Sequence, residues 1–201
     1  ADRSHRERRA KLAKHYGLAV DQPWLIAVAM MRLGDKSRSY SMLAQSLSLI
    51  EDLPWQIILI GDGPARAEIE KAFASVAQQR VCFCGQLDPV ATADLLTAAD
   101  LFTWPAMNEA FGMAILEAHR HGLPVVAGYT DGVASLVNDG QTGLLTRPPE
   151  PVVFASAIRK LLEDPDLRRR MALSARDKFL EQHDFDAAAS RIQQFLLQVR
   201  P

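Results

Sequence analysis

Six short apolar runs, each about the length of a strand, alternate with segments of helical periodicity. The runs lie at residues 24–30, 56–60, 81–84, 101–104, 124–127 and 142–145. Helical patterns occupy 38–51, 65–76, 89–98 and 111–121, with a short one at 133–137. A strand that packs on one face is apolar at every second residue. These runs are apolar throughout, as strands covered on both faces must be. The pattern predicts an α/β fold built on a six-stranded parallel sheet. Beyond the last strand only helices are expected, at 151–163, 165–182 and 185–199, with breaks at Asp164-Pro165 and His183-Asp184.

The chain has 201 residues, of which 48% are hydrophobic and 23% charged, enough for a single domain with a sizeable core. A net charge of −1 argues against a general nucleic-acid binder. Residues 1–16 are locally basic, with six Arg or Lys against two acids. They read as a solvated helix ended by Gly17 rather than an arm for lipid or nucleic acid, and residues 1–20 are taken as a basic linker helix. No apolar run is long enough to span a bilayer and no secretory signal opens the sequence, so a cytoplasmic location is expected, with membrane contact at most peripheral. Cys82 and Cys84 alternate on one strand, too far apart along the backbone for a comfortable disulfide, and read as packing in a reducing compartment.

In an open parallel sheet the ligand lies beyond the carboxyl ends of the strands. The chemically rich loops fall there: Arg32 and Lys36 after the first strand, Gly61-Asp-Gly-Pro64 after the second, Gly85-Gln86 after the third, and an acidic pair, Glu109 and Glu117, after the fourth. Phe111-Gly112 lies between the two acids, where a helix would begin. Unpaired N–H groups at a helix start attract phosphate, and Gly112 has no Cβ to hold a ligand away. Glu117 is flanked by Ile115, Leu116 and Ala118, and a buried carboxylate there needs partners such as sugar hydroxyls. Arg32 and Lys36 could neutralise a diphosphate. Together these parts suggest a nucleotide-sugar site. The ordinary reading of the same residues has Glu109 capping the helix, Glu117 pairing with Arg32 or a nearby cation, and Lys36 pairing with Asp35.

Other motifs carry less. Gly61-Asp-Gly-Pro64 lacks the third glycine of a dinucleotide fingerprint, because Arg66 stands there, and it follows the second strand; a tight turn permitting close backbone approach is expected, with Pro64 in the first turn of the next helix. Asp164-Pro-Asp166 and Asp184-Phe-Asp186 lie between helices, where aspartate is a routine cap, so no metal is expected. His119 and His121 face different sides of one helix and form no cluster. There is no nucleophile elbow and no full phosphate-binding loop.

The order of these motifs resembles the donor-binding, C-terminal half of the retaining GT-B glycosyltransferases, the large family that includes glycogen and sucrose synthase relatives. The resemblance runs over 24–176 and is carried by Arg32-Leu33 with Lys36, Gly61-Asp-Gly-Pro64, Val81-X-Phe-X-Gly85, Ala99-Asp-Leu-Phe102, Pro105 with Glu109, Phe111-Gly112 and Glu117, Gly122-Leu-Pro-Val-Val126, and Asp139-Gly-Gln-Thr-Gly-Leu-Leu145. Met31, Ser37, Ala106 and Ser135 stand where that family commonly has glycine, glycine, serine and glutamate.

The resemblance implies a Rossmann-like sheet forming one half of a GT-B fold. It implies that Glu117 holds the ribose hydroxyls, and that Glu109, the candidate catalytic residue, lies with Phe111, Gly112 and Met113 against the donor sugar and distal phosphate. Arg32 and Lys36 would neutralise the diphosphate, and Gly85, Gln86 and Leu87 would lie near the base. The implied activity is transfer of a hexose, with retention, from a UDP-, GDP- or ADP-linked sugar to a glycan or lipid acceptor, with no cofactor and no metal. Such enzymes have two similar domains, and the acceptor-binding one is absent from these 201 residues. The chain is therefore expected to be a donor-binding fragment, 1–201, that transfers little alone. The competing expectations are a non-catalytic nucleotide-binding or interaction module, and a nucleotide-sugar epimerase-like domain.

Overall fold

Each apolar run forms a strand in the computed structural model, which describes residues 3–182. The strands are β1 (Trp24–Val28), β2 (Gln56–Ile60), β3 (Val81–Gly85), β4 (Leu101–Trp104), β5 (Val125–Gly128) and β6 (Gly143–Thr146). They join in one sheet of order β3-β2-β1-β4-β5-β6, and every neighbouring pair is parallel. β1, β2, β4 and β5 are almost wholly buried, which accounts for their unbroken apolar character, whereas edge strand β3 is half-buried throughout. On that edge the Cys82 and Cys84 sulfurs lie 3.6 Å apart.

The helices are α1 (Arg3–Tyr16), α2 (Asp35–Ser48), α3 (Arg66–Ala72), α4 (Pro89–Ala98), α5 (Met113–Arg120), α6 (Asp131–Leu136), α7 (Pro151–Glu163) and α8 (Pro165–Gln182). Right-handed crossovers in this strand order send α2 and α3 to one face of the sheet and α5 and α6 to the other. Several starts have chemical caps. Asp88 Oδ1 accepts from the Ala91 N–H at 2.8 Å, Thr130 Oγ1 from Val133 at 3.2 Å, and Asp164 Oδ1 from Leu167 at 2.8 Å. Asp164 is thus the cap that its sequence context suggested. The expected helix at 185–199 and the Asp184-Phe-Asp186 triplet lie outside the described residues.

Some boundaries differ from the sequence pattern. α3 stops at Ala72 and gives way to two 3-10 turns, Phe73–Ser75 and Gln78–Arg80. Pro64 lies before the N-cap Ala65 rather than inside the first turn of α3. The Gly61–Pro64 turn does permit close backbone approach: Gly61 has φ +140°, and a Cβ there would sit 2.0 Å from the Ala29 carbonyl oxygen. Hydrogen bonds from Met31 N to Asp62 O and from Ala65 N to Met31 O, both 2.9 Å, fasten this turn to the segment leaving β1.

α1 is more than a solvated helix. Arg9 lies 4.0 Å over the Trp24 ring and donates to the carbonyl oxygens of Ala98, Gln22 and Val20 at 2.5, 2.6 and 3.1 Å. It also pairs with Asp100 at 3.0 Å, whose carboxylate accepts from the Trp24 N–H at 2.8 Å. One arginine therefore ties α1 to the amino-terminal edge of the sheet.

Candidate functional site

The strand order reverses between β1 and β4, and the segments leaving these strands diverge to opposite faces. A crevice at that switch point is where an open α/β sheet binds its ligand. Three cavities meet there, all bordered by Val28 at the end of β1. One, of about 340 Å³, is lined by Lys36, Trp104, Glu109, Phe111, Gly112 and the first residues of α5. The second, about 300 Å³, is lined by Met30, Gly61, Gln86, Leu87 and Thr92. The third, about 320 Å³, runs between α4 and α5, past Leu87, Thr92, Glu117, Arg120 and His121. A separate cavity of about 470 Å³ lies on the far side of loop 105–108 and holds none of the expected site residues.

Eight of the ten expected residues line the groove: Lys36, Gln86, Leu87, Glu109, Phe111, Gly112, Met113 and Glu117. Gly85 lies at its edge, its carbonyl accepting from the Gly61 N–H at 2.8 Å. Arg32 is exposed, borders none of these cavities and enters no ion pair among the described residues. Its backbone N–H donates to Met30 O at 3.1 Å and its carbonyl accepts from the Ser37 N–H at 3.0 Å.

The ordinary pairings expected for the acids do not form. No side chain caps α5, so Glu109 is not its cap. The Glu109 carboxylate is instead bound by the Lys36 ammonium, and its Oε2 also accepts from Trp104 Nε1 at 3.3 Å. Asp35, the expected partner of Lys36, is taken by Arg38 and by Asn108, whose Nδ2 donates to it at 2.9 Å. The Arg38 and Asn108 contacts hold the Asp35 carboxyl below its ordinary pKa, the Asn108 hydrogen bond most of all. Glu117 forms no ion pair among the described residues. It is exposed toward the groove rather than buried among the apolar residues that flank it.

α5 begins later than its sequence pattern suggested, at Met113. Gly112 takes a left-handed conformation, φ +88° and ψ +55°, which cannot continue a helix backwards into Phe111. With no side-chain cap, the first N–H groups of α5 are left for a ligand in the cavity that Met113 and Ala114 line. The preceding loop is tightly held. Met107 N donates to Ser39 Oγ at 3.0 Å, Glu109 N to Ala106 O at 3.1 Å, and Thr130 Oγ1 to Glu109 O at 2.8 Å. Ala106 and Asn108 pay for this path with φ of +54° and +55°. At the far end of the groove, His121 Nδ1 lies 2.9 Å from Thr97 Oγ1, and burial, with a smaller contribution from Arg120, lowers its pKa below the usual 6.5.

Trp104, Thr92 and His121 belong to the groove without having been expected there. For Trp104 a signal existed, since an indole closes the strand that leads into the Glu109 loop. Thr92 and His121 enter only through the packing of α4 beside α5, which no local pattern encodes.

The chain matches the family described as glycosyl transferases group 1 over residues 7–178. It is 31% identical over 186 residues to alpha-D-kanosaminyltransferase of Streptomyces kanamyceticus, covering 92% of this chain and 48% of that protein. It is 32% identical over 139 residues to D-inositol 3-phosphate glycosyltransferase of Corynebacterium diphtheriae, covering 66% of this chain and 32% of that one. Among solved structures, sucrose-phosphate synthase from Thermosynechococcus elongatus superposes with a TM-score of 0.81 at 26% identity, over 96% of this chain and 48% of that one. The Anabaena protein HepE, solved with UDP and glucose, superposes with a TM-score of 0.82 at 23% identity, over 99% and 53%. The chain spans less than half the length of the curated relatives it matches.

Proposed function

This chain belongs to the group 1 family of glycosyl transferases, and from that premise we propose that it is the donor-binding half of an enzyme moving a hexose from a nucleoside-diphosphate sugar to an acceptor. The observation that carries the reading is the groove at the switch point, where an uncapped helix start, one lysine and two acids line neighbouring cavities that both border Val28. In this reading the diphosphate lies on the Met113 and Ala114 N–H groups and near Lys36. The ribose lies on Glu117, the base along Gln86 and Leu87, and the hexose against Glu109 and Phe111. HepE, similar in fold, is solved with UDP and with UDP-glucose, which supports a nucleotide sugar as the ligand.

The chemistry follows from the charges. As the glycosidic bond breaks, negative charge grows on the leaving diphosphate, and N–H dipoles and an ammonium already aimed at it stabilise that charge without reorganising. Lys36 and the helix start supply this stabilisation, and the reading assigns no metal. Retention at the anomeric carbon is the outcome proposed from the family resemblance. A glycan or lipid acceptor would be bound by parts of the protein beyond these residues, so the chain alone should turn over little.

Calorimetric titration with UDP, GDP, ADP and NAD tests the reading. One or more of the three diphosphates should bind and NAD should not; binding of NAD alone contradicts it. Robust transfer by these 201 residues, across a panel of acceptors, would contradict the half-enzyme assignment.

A further inference from the structure

The chain has three tryptophans, and two give their indole N–H to backbone: Trp24 to Ala19 O and Trp55 to Ile50 O, both at 2.8 Å. Trp104 alone donates to a side-chain carboxylate, Glu109 Oε2. Its ring is 3% exposed and packs edge-on against Tyr40, with centroids 5.0 Å apart and planes at 77°. The Lys36 ammonium binds the same carboxylate oxygen and lies 5.3 Å from the indole centroid. Glu109 Oε1, by contrast, accepts no hydrogen bond among the described residues.

These contacts divide the carboxylate into an anchored oxygen and an open one. Lys36 cannot impose that orientation alone, because an ammonium on a four-carbon stem follows the carboxylate as it rotates. The indole is rigid and clamped by Tyr40. Its buried N–H has no other acceptor, so turning Glu109 away would leave it unpaired. The Glu109 backbone is also held, through Ala106 O and Thr130 Oγ1.

We propose that Trp104 is a positioning residue, fixing the rotation of the Glu109 carboxylate so that Oε1 is presented to the hydroxyls of the donor hexose. The proposal rests on the donor-site reading given above and deepens it. Trp104 acts on recognition of the sugar, while the nucleotide is held by Glu117, Lys36 and the start of α5. A pre-oriented acceptor spares the bound sugar the cost of ordering that side chain.

The test compares the affinity of the native chain for UDP, GDP and ADP with that for the glucose conjugate of each. Trp104→Phe keeps an aromatic plug and removes the N–H. Tyr40→Phe keeps the ring that packs on the indole and removes only the 2.7 Å hydrogen bond from its hydroxyl to Ala29 O, without touching Glu109. The native chain should prefer the conjugate. Trp104→Phe should reduce that preference about tenfold, the loss expected for one hydrogen bond to a charged group, and Tyr40→Phe should retain it. An unchanged preference in Trp104→Phe, equal losses in both variants, or no preference in the native chain would each overturn the proposal. Absence of binding by any diphosphate would overturn the donor-site reading itself. A second measurement needs no variant: the Trp104 indole N–H resonance should move on adding the glucose conjugate and move less with the free diphosphate. Identical responses to the two would also overturn the proposal.

Discussion

Lys36 and Glu109, 73 residues apart in the chain, form an ion pair where the first turn of α2 meets the loop after β4. The pair ties the two sides of the switch-point crevice together, and it places a cation where a diphosphate would arrive. A bound phosphate would share or displace the carboxylate's hold on the ammonium. Replacing Lys36 by Met should lower affinity for nucleoside diphosphates about 10- to 100-fold, the range for losing one or two charge-assisted hydrogen bonds. In the native chain that affinity should fall as salt is raised. Calorimetry at two ionic strengths checks both.

Glu117 is exposed to the groove and has no ion-pair partner among the described residues, so the fold does not depend on it. Glu117→Ala should leave the urea unfolding midpoint nearly unchanged, as for most surface substitutions. It should weaken binding of whichever nucleoside diphosphate the chain takes about tenfold, the value of a hydrogen bond to a charged acceptor. A 2′-deoxy nucleotide should lose a similar factor against the native chain and little more against the variant, because both changes remove the same contact. Additive losses would separate Glu117 from the ribose.

Arg9 serves the fold and not the site. Its guanidinium stacks on Trp24, bonds three carbonyl oxygens and pairs with Asp100, with only 13% of the side chain exposed. Arg9→Ala leaves Asp100 without its cation and the carbonyls without a donor, and should cost about 2–4 kcal/mol of stability. Denaturant unfolding measures that loss. Nucleotide affinity of the folded fraction should be unaltered.

His121 gives stability a pH dependence. Burial lowers its folded pKa below the unfolded 6.5, so the unfolded chain binds more protons between the two values. Its contribution is therefore complete above pH 6.5 and is lost as pH falls through the folded pKa. Arg120 reinforces the shift, and Glu117 is the acid that lines the same cavity. Unfolding midpoints of native and His121→Gln chains, compared from pH 8 to pH 5, should converge in acid; parallel curves would contradict this assignment.

The sheet was legible because each strand, buried on two faces, is apolar without interruption, and the loops that follow the strands carry the charged residues. Eight of the ten expected donor-site residues therefore line one groove. What stayed hidden depends on contacts between distant segments. Arg9 reaches a carbonyl 89 residues away, and nothing in a basic helix marks which of its arginines will be buried. Lys36 had a neighbouring acid in Asp35, yet Asp35 is engaged by Arg38 and Asn108, which leaves Lys36 for Glu109. Arg32, expected beside the phosphates from its place after the first strand, is exposed and borders none of the three cavities. The start of α5 was misplaced by two residues, because apolar periodicity reads through Phe111-Gly112 while the left-handed Gly112 does not.

The central claim is that a diphosphate rests on the start of α5 while Glu117 holds the ribose. A crystal structure of the chain with whichever of UDP, GDP or ADP binds most tightly tests this directly. The account predicts phosphate oxygens about 3 Å from the Met113 or Ala114 nitrogen, with the ribose hydroxyls on the Glu117 carboxylate. A nucleotide lodged in the cavity beyond loop 105–108, or one bound with Glu117 turned away from its ribose, would contradict it.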